Sequence, residues 1–396
     1  MKKKILIVGG GTAGTMTANN LAKKLMPEIN QNEIEITMIS NSSKHIYRPG
    51  AMYVAFHKSS GHEFIRDQRS LLMPEIDFFV DEAVDIQTES NFVKGKSGTN
   101  YHYDYLVLAT GCEVAANRIP GLEEGGDWFY NYEGAKKIAK KFEKLKKGRV
   151  LVTINFPKTP NIPHQCGIAP VETTMMLHDY LTEKGIRDDI EIIYTYPKHA
   201  QTVEDGLFLQ TPTSNVLPSI FDSINVKYKT SFTLNKVDPD NKIAYSEEGE
   251  ELSFDILMAT PPFEAAKVIR DSGLSSSLDN EGWLPTNKQT LKVEGLDNVY
   301  TLGDTVDLSV SKAGGTIHNQ TDVVADNIAA EIRYGYPTES YDGKVIAVAQ
   351  MGLTCGMPLW YDYKEDVQPT PCSKLGSFVR LGFNKGLYWA AARGML

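Results

Sequence analysis

The sequence predicts an α/β protein with two Rossmann-like dinucleotide-binding domains and a short C-terminal membrane-associating element. Two strand-to-loop junctions carry this prediction. The apolar strand Ile5–Val8 runs into a glycine-rich turn, whereas a similar strand that begins at Arg149 runs into Pro157, Pro160 and Pro163. Along the rest of the chain, apolar strands alternate with helical stretches, which is typical of βαβ units. We therefore expect one complete dinucleotide site and a second domain without a phosphate-binding loop.

The first junction reads Gly-Gly-Gly-Thr-Ala-Gly. Gly9 allows a tight turn, Gly11 lets the backbone approach a pyrophosphate, and Gly14 lets the next helix pack close to the strand. That helix is predicted to begin at Thr12, so the amides of Thr12 and Ala13 point towards the phosphates together with the positive end of the helix dipole. The junction therefore predicts a dinucleotide site at the N-terminus.

The second predicted strand, Ile34–Ile39, lacks the Asp or Glu that commonly follows it and holds the adenosine ribose. Ser40, Asn41 and Ser42 stand there instead. Because a neutral side chain can also hydrogen-bond a hydroxyl, we expect Ser40 and Asn41 to contact the cofactor in place of the acid.

Composition excludes several classes of protein. The 396 residues suffice for two or three domains, and the net charge of -9 argues against nucleic-acid binding. No apolar run is long enough to span a bilayer, and because the N-terminal sequence shows no h-region we expect no signal peptide. The four cysteines suit catalytic or redox roles better than a disulfide framework, and we expect no metal site.

The predicted first domain is discontinuous, because a strand that ends in Gly303 and Asp304 returns to it late in the chain. After Tyr341 the composition shifts towards Gly, Trp, Tyr and Phe, which indicates a separate C-terminal element. The predicted boundaries are residues 1–112 with 285–335 for the first domain, 113–284 for the second and 336–396 for the C-terminal region.

Three motifs together resemble the two-dinucleotide-binding-domain flavoproteins. They are the fingerprint at residues 9–14, the turn Ala109-Thr110-Gly111, and Thr301-Leu302-Gly303-Asp304. The resemblance implies a bound FAD, with the carboxylate of Asp304 on the ribityl chain of the flavin.

Two cysteine segments narrow the resemblance to the sulfide:quinone oxidoreductases. Residues 163–172 are similar to the first redox-cysteine segment of that family and residues 351–356 to the second, and the matching segments extend over essentially the whole chain. The resemblance implies that FAD oxidises sulfide to polysulfide or zero-valent sulfur and that a membrane quinone takes the electrons. Beyond the fingerprint, Ser40 and Asn41, it gives the cofactor-binding residues as Arg48, Ala109, Thr110, Gly111, Gly303, Asp304 and Lys312.

By this resemblance Cys166 and Cys355 form the redox pair on one side of the flavin. Hydrosulfide would open their disulfide or sulfur bridge by thiol–disulfide exchange. Cys355 would be the thiolate that adds to the flavin, and Cys166 would carry the sulfur.

Other candidates keep two interpretations. Cys112, next to the Gly111 turn, is a third sulfur carrier or a buried thiol. Glu172 is a general base for sulfide or an ordinary first-turn residue of a helix. Cys372 is interpreted as structural or incidental, and His164 and His199 are weaker candidates for a proton relay. Residues 127–132 contain no cysteine that could bond the flavin, so we expect noncovalent FAD.

The C-terminal sequence predicts peripheral association with a lipid bilayer. It does not specify which side of the membrane the protein binds. Residues 374–396 carry four basic residues and no acidic one, interleaved with aromatic and aliphatic side chains. Phe383 and Tyr388 are the candidates to stack on a quinone. The alternative is a final helix that packs on the core or on a second copy in a homo-oligomer. Lys312 would face the flavin ring or be exposed.

Three other functions compete with sulfide oxidation by a quinone. A type II NADH:quinone dehydrogenase would need the second glycine-rich loop. A flavocytochrome-type sulfide dehydrogenase would pass its electrons to a cytochrome subunit. A non-catalytic sensor would use the flavin or a persulfide as its signal.

Overall fold

The computed structural model describes residues 2–159, 161–163, 165–197, 216–275, 280–365 and 367–395. His164 and His199 lie outside these residues. The strands are β1 (Lys3–Val8), β2 (Ile34–Ser40), β3 (Lys44–Ile46), β4 (Ile65–Asp67), β5 (Ile76–Val80), β6 (Ala83–Gln87), β7 (Phe92–Gly95), β8 (Asn100–His102), β9 (Tyr105–Leu108), β10 (Cys112–Val114), β11 (Gly126–Asp127), β12 (Gly148–Ile154), β13 (Ile190–Tyr196), β14 (Val226–Thr230), β15 (Leu234–Asp238), β16 (Ile243–Ser246), β17 (Glu251–Ser253), β18 (Ile256–Thr260), β19 (Phe263–Ala265), β20 (Val299–Thr301), β21 (Val345–Gln350), β22 (Gly356–Tyr361) and β23 (Gln368–Pro369).

The described helices range from 4 to 21 residues, and the C-terminal helical segment is broken. They are α1 (Thr12–Lys24), α2 (Met26–Asn30), α3 (Ala51–Ala55), α4 (Leu122–Gly125), α5 (Tyr132–Lys144), α6 (Ala169–Glu183), α7 (Val216–Ser223), α8 (Lys267–Asp271), α9 (Gly314–Tyr334), α10 (Lys374–Gly382) and α11 (Tyr388–Ala392). A π-helical turn, Phe383–Leu387, joins α10 to α11.

Two five-stranded parallel sheets form the centre of the molecule. The first has the order β20-β9-β1-β2-β5, and the second has the order β11-β18-β12-β13-β14. Except at the edge strands β5 and β14, whose side chains are largely exposed, these strands are mainly buried and apolar, as a sheet covered on both faces requires. The predicted α/β class with two Rossmann-like sheets is confirmed.

The first sheet contains the late strand that the sequence predicts to return. In β20, Val299 pairs with Leu106 and Thr301 pairs with Leu108 of β9. The carboxyl ends of β1, β9 and β20 therefore lie together, and the glycine turn, the Gly111 turn and Asp304 follow these three ends. This arrangement supports the predicted domain division, whose boundaries stay a prediction.

The C-terminal region places a small antiparallel sheet, β21-β22-β23, against α10. Beyond the π turn, α11 packs against α1 of the first domain, and its Tyr388 and Ala392 are fully buried. The C-terminus is thus a packed helix in its last turns, while α10 leaves apolar side chains exposed. Within the described ranges, no helix is both long and apolar enough to cross a bilayer.

Candidate active site

One continuous cavity of about 1120 Å³ extends from the glycine turn after β1 to the C-terminal helices. A pocket of this size accommodates a large cofactor. Gly14 and Cys355 are not among the described residues that line it. The other predicted site residues do line it: Gly9, Gly11, Thr12, Ala13, Ser40, Asn41, Arg48, Ala109, Thr110, Gly111, Cys112, Cys166, Glu172, Gly303, Asp304, Lys312, Phe383 and Tyr388.

The glycine turn has the geometry that a pyrophosphate needs. A Cβ on Gly9, whose φ is +117°, would lie 2.3 Å from the carbonyl oxygen of Ala109, and one on Gly14 would lie 1.9 Å from that of Gly9. By contrast, no described atom outside its chain neighbours lies within 4 Å of a Cβ built on Gly11, which directly precedes α1. The open space at this helix N-terminus is where phosphates bind. The residues present therefore fit a dinucleotide.

The carboxylate of Asp304 lies where the carboxyl ends of the first sheet meet. It accepts a hydrogen bond from the Gln165 amide nitrogen at 2.7 Å and one from the Cys112 thiol at 3.5 Å. Burial, followed by the charge of Asp304, raises the pKa of Cys112 well above its usual value. Cys112 is therefore a buried neutral thiol, which favours the second of its two interpretations.

Lys312 is a buried cation in the cavity wall, which rules out the exposed alternative. Its ammonium group donates to the carbonyl oxygens of Asp304 at 2.8 Å and Val306 at 2.5 Å, and it lies 4.1 Å from the centre of the Trp283 ring. Burial lowers the pKa of Lys312 to about 8. Near neutral pH, Lys312 therefore presents a positive charge that can still give up a proton.

Cys166 lies on the cavity wall in a constrained backbone conformation. Its φ is +52°, in the left-handed region that residues other than glycine rarely adopt, and its N–H donates to the Lys312 carbonyl at 3.0 Å. Strain of this kind persists only where the surroundings hold it, and it is common at functional sites. The fold thus holds a partly buried thiol beside Lys312 and the cofactor cavity.

The disulfide of this structure is not the bond between Cys166 and Cys355 that the resemblance implies, so that pair stays a prediction. Cys355 is bonded to Cys372, while Cys112 and Cys166 remain thiols. The physical reason is an antiparallel bridge in which Gly356 and Ser373 exchange backbone hydrogen bonds of 2.9 and 3.0 Å. This bridge brings the residues that precede Gly356 and Ser373 together. Cys372, interpreted as structural or incidental from the sequence, is the observed partner of Cys355.

Glu172 forms a buried ion pair that the sequence did not indicate. Its carboxylate lies 2.8 Å from the Arg380 guanidinium and accepts the Gln350 N–H at 2.6 Å, and the Glu172 side chain is inaccessible to solvent. Arg380 also donates to the carbonyl oxygen of Val348. Burial raises the pKa of Glu172, whereas Arg380 and the Gln350 N–H oppose the rise.

Arg380 corrects the interpretation of the C-terminal basic residues. Although it stands in the predicted membrane segment, its side chain is only 14% exposed and lines the cavity. Two other basic residues contact the body of the protein, because the Lys385 ammonium lies 3.7 Å from the Glu63 carboxylate and Arg393 donates to the Ser70 carbonyl at 3.1 Å. The positive charge available to a lipid surface is therefore smaller than the four basic residues of this segment suggest.

Tyr388 is held by buried polar groups. Its hydroxyl is hydrogen-bonded to Thr12 Oγ1 at 2.7 Å and to His45 Nε2 at 2.6 Å, and its ring centre lies 3.8 Å from that of Tyr47. Thr12 opens α1 at the pyrophosphate position, so α11 is bonded directly to the glycine turn. Phe383, by contrast, is partly exposed, and its ring stands edge-on to His318 at 5.6 Å.

His45 should make the fold sensitive to acid. Burial lowers the pKa of His45 from 6.5 to about 4, so folded protein binds this proton less well than unfolded protein does. The stability that His45 contributes is present above pH 6.5 and is lost as the pH falls towards 4, by about 3 kcal/mol at most. We expect urea unfolding of His45→Gln to change less between pH 7 and pH 5 than that of the unmodified protein. Equal changes would contradict this assignment.

The fold and the cavity define a flavoprotein oxidoreductase with two dinucleotide-type domains. Residues 3–153 match the family model described as "Pyridine nucleotide-disulphide oxidoreductase". The particular relationship is to sulfide:quinone oxidoreductases. The mitochondrial sulfide:quinone oxidoreductase of Dictyostelium discoideum is 28% identical over 86% of this chain and 73% of its own length. The predicted resemblance is confirmed.

Solved structures show the same fold. The sulfide:quinone oxidoreductase from Aquifex aeolicus superposes with a TM-score of 0.84 at 22% identity, covering 99% of this chain and 92% of that chain. NDH2 from Plasmodium falciparum in complex with NADH superposes with a TM-score of 0.72 at 15% identity, covering 99% of this chain and 98% of that chain. The fold is therefore shared by proteins with different electron donors. The residues of the site, rather than the fold, indicate which donor this chain uses.

Proposed function

We propose that this protein oxidises sulfide with a noncovalently bound FAD and passes the electrons to a membrane quinone. The observation that carries the proposal is the position of Cys166, a thiol in the wall of the cavity that also contains the glycine turn and Asp304. When bound there, FAD would accept two electrons for each sulfide oxidised. The chain's part is to hold the cofactor, present the thiol and exclude water.

The residues that would hold FAD act at three places. The amides at the start of α1 bind the pyrophosphate, because Gly11 leaves room for it. Asp304 offers a carboxylate to the hydroxyl groups of the ribityl chain. Lys312 places a positive charge beside Asp304, and this charge would favour a bound flavin that carries negative charge. Cys112 donates to Asp304 from a fully buried position, which supports noncovalent binding.

The working cysteine pair that we propose is Cys166 with Cys355, reached from the observed disulfide by exchange. The Cys166 thiolate attacks the sulfur of Cys355, a Cys166–Cys355 bond forms, and Cys372 leaves as a thiolate. Hydrosulfide then attacks Cys166, so that Cys166 becomes a persulfide and Cys355 a thiolate. Neither step needs an outside oxidant, because each forms one sulfur–sulfur bond and breaks another. Glu172 lines the same cavity as Cys166 and acts as the base for hydrosulfide once its carboxylate separates from the Arg380 guanidinium.

The test is anaerobic mixing of the purified, FAD-loaded protein with sulfide. One equivalent should bleach the flavin absorbance near 450 nm, and a short-chain quinone should restore it. The proposal fails if sulfide leaves the spectrum unchanged. Faster bleaching by NADH would identify an NADH dehydrogenase, and reduction without quinone turnover would identify a sensor.

The surface that we propose for membrane contact is the exposed face of α10 with the following turn. Leu375 and Phe378 are 71% and 72% exposed, and Val379 completes an i, i+3, i+4 stripe along the helix. Such a stripe inserts into the interfacial region of a bilayer. Val379 and Phe383 also line the cavity, so a quinone entering from the lipid would meet them first.

Replacing Phe378 by aspartate should reduce binding to liposomes at least about tenfold. Burying a phenylalanine side chain contributes about 1.5–3 kcal/mol, and tenfold in affinity corresponds to about 1.4 kcal/mol. The measurement is co-sedimentation with vesicles that contain anionic lipid. Tyr336→Asp is the matched control, because Tyr336 is 62% exposed but lies beyond the end of α9. Equal losses in both variants would argue against α10 as the docking surface, and no sedimentation of the unmodified protein would favour a flavocytochrome-type enzyme.

A further inference from the structure

The strand β12 holds the position in the second sheet that β1 holds in the first. In each sheet this strand lies between the strand that follows it in the chain and a strand that comes much later, so the strand order reverses beside it. Ligands of such sheets bind at the carboxyl ends of the strands at this reversal. The loop after β12 is therefore where a second dinucleotide would place its pyrophosphate.

The two loops differ in length and in what their amides contact. Residues 9–11 separate β1 from α1, whereas residues 155–168 separate β12 from α6. At the first loop the space next to Gly11 is open, as shown above. At the second loop the backbone amides already bind a carboxylate, that of Glu281.

Glu281 is only 4% exposed and accepts hydrogen bonds from four donors. The N–H groups of Lys158 and Thr159 donate at 2.6 and 3.2 Å, and the Thr159 hydroxyl donates at 2.7 Å. The indole N–H of Trp283 donates at 2.8 Å. Successive backbone N–H groups with a hydroxyl form the donor set that typically cradles a phosphate.

We infer that the carboxylate of Glu281 occupies the anion position of the second dinucleotide site and thereby excludes NADH and NADPH. The amides that would bind a pyrophosphate are engaged, and the buried negative charge repels a second anion. The chain thus carries its own substitute for the phosphate. This role does not depend on sulfide being the electron donor.

The test uses the full-length, FAD-loaded protein and ADP-ribose, which has the pyrophosphate but no nicotinamide. The unmodified protein should show no saturable binding up to millimolar concentration by equilibrium dialysis. Glu281→Ala, which removes the anion, should bind ADP-ribose saturably, at least about tenfold more tightly than the millimolar limit set for the unmodified protein. Glu281→Gln, which keeps the shape and removes the charge, should also bind saturably, at least about threefold more tightly than that limit, and decides the question if the alanine variant does not fold.

The matched control is Glu264→Ala. Glu264 is a largely buried carboxylate of the neighbouring strand β19, paired with Arg118 and Arg270 rather than with the loop. This variant should bind ADP-ribose no better than the unmodified protein does. Folded Glu281 variants that gain no affinity would overturn the inference.

A further measurement needs no variant. In the unmodified protein, 5 mM ADP-ribose should leave the hydrogen exchange of the amides of residues 158 and 159 unchanged. Slower exchange on addition of ADP-ribose would show that a nucleotide reaches these amides, and would likewise overturn the inference.

Discussion

Replacing Cys166 by serine should slow sulfide-driven reduction of the flavin by at least about 1000-fold, because removal of a covalent nucleophile has effects of this size or larger. A serine oxygen can neither form the bond to Cys355 nor carry a sulfur atom. The change is nearly isosteric, and the contacts that would hold FAD lie elsewhere, so the flavin should remain bound. Anaerobic stopped-flow mixing with sulfide measures the rate, and the flavin content of the purified variant shows whether the cofactor site is intact.

Cys372→Ser is the matched control, and it separates the two possible cysteine pairs. Cys372 is exposed and bonded to Cys355. If Cys166 and Cys355 are the working pair, oxidation of Cys372→Ser by a quinone through the flavin should join these two cysteines, and sulfide should then still reduce the flavin. If instead the observed disulfide itself receives the sulfide, Cys372→Ser should abolish reduction and Cys166→Ser should not. The second pattern would refute the proposed pair.

Local signals made the first half of the site predictable. The glycine turn, the strand before it and the start of α1 at Thr12 are encoded within a dozen residues, and the structure has all three. The turn at Gly111 and the Gly-Asp pair at 303–304 are equally local. Parallel strands bring their carboxyl ends to one edge, so locating each strand was enough to bring these motifs together.

Long-range contacts explain what the sequence did not predict. The bond between Cys355 and Cys372 depends on a bridge between Gly356 and Ser373, and nothing in the spacing of the cysteines indicates that bridge. Arg380 shows the same limit. Its neighbours Phe378 and Val379 are exposed, and only the position of α10 against β21 and β22 turns this one basic side chain inward.

The sequence likewise did not predict the hydrogen-bond donors around Glu281, although it did predict that the second domain has no phosphate-binding loop. The prolines after β12 predicted that the second phosphate loop is missing. The residue that takes the place of the phosphate lies more than a hundred positions away in the chain, between β19 and β20. A pattern search finds a missing loop, whereas the group that replaces it appears only in three dimensions.

The ion pair between Glu172 and Arg380 should show the largest and most asymmetric effects on stability. Glu172→Gln leaves a buried guanidinium without its counter-charge, and breaking a buried pair from one side costs about 3–5 kcal/mol. Arg380→Met should cost less near neutral pH, because Glu172, whose pKa burial already raises, can take up a proton and become neutral. A guanidinium cannot become neutral in this way, because it stays protonated over the accessible pH range.

The double variant Glu172→Gln with Arg380→Met completes the cycle. It removes both charges, so its loss of stability should fall below the sum of the two single losses by about 1–3 kcal/mol. In Arg380→Met the carboxyl has a raised pKa and no cationic partner. The stability of Arg380→Met relative to that of the unmodified protein should therefore be highest below the ordinary pKa of a glutamate and should decline as the pH rises. Urea unfolding at several pH values measures both effects, and strictly additive losses with no difference in pH dependence would show that the two residues do not act as a pair.

Because Arg380 belongs to α10 and Glu172 follows Cys166 by six residues, a coupled pair would mean that the proposed membrane helix and the sulfur-handling loop are held in place by one electrostatic contact.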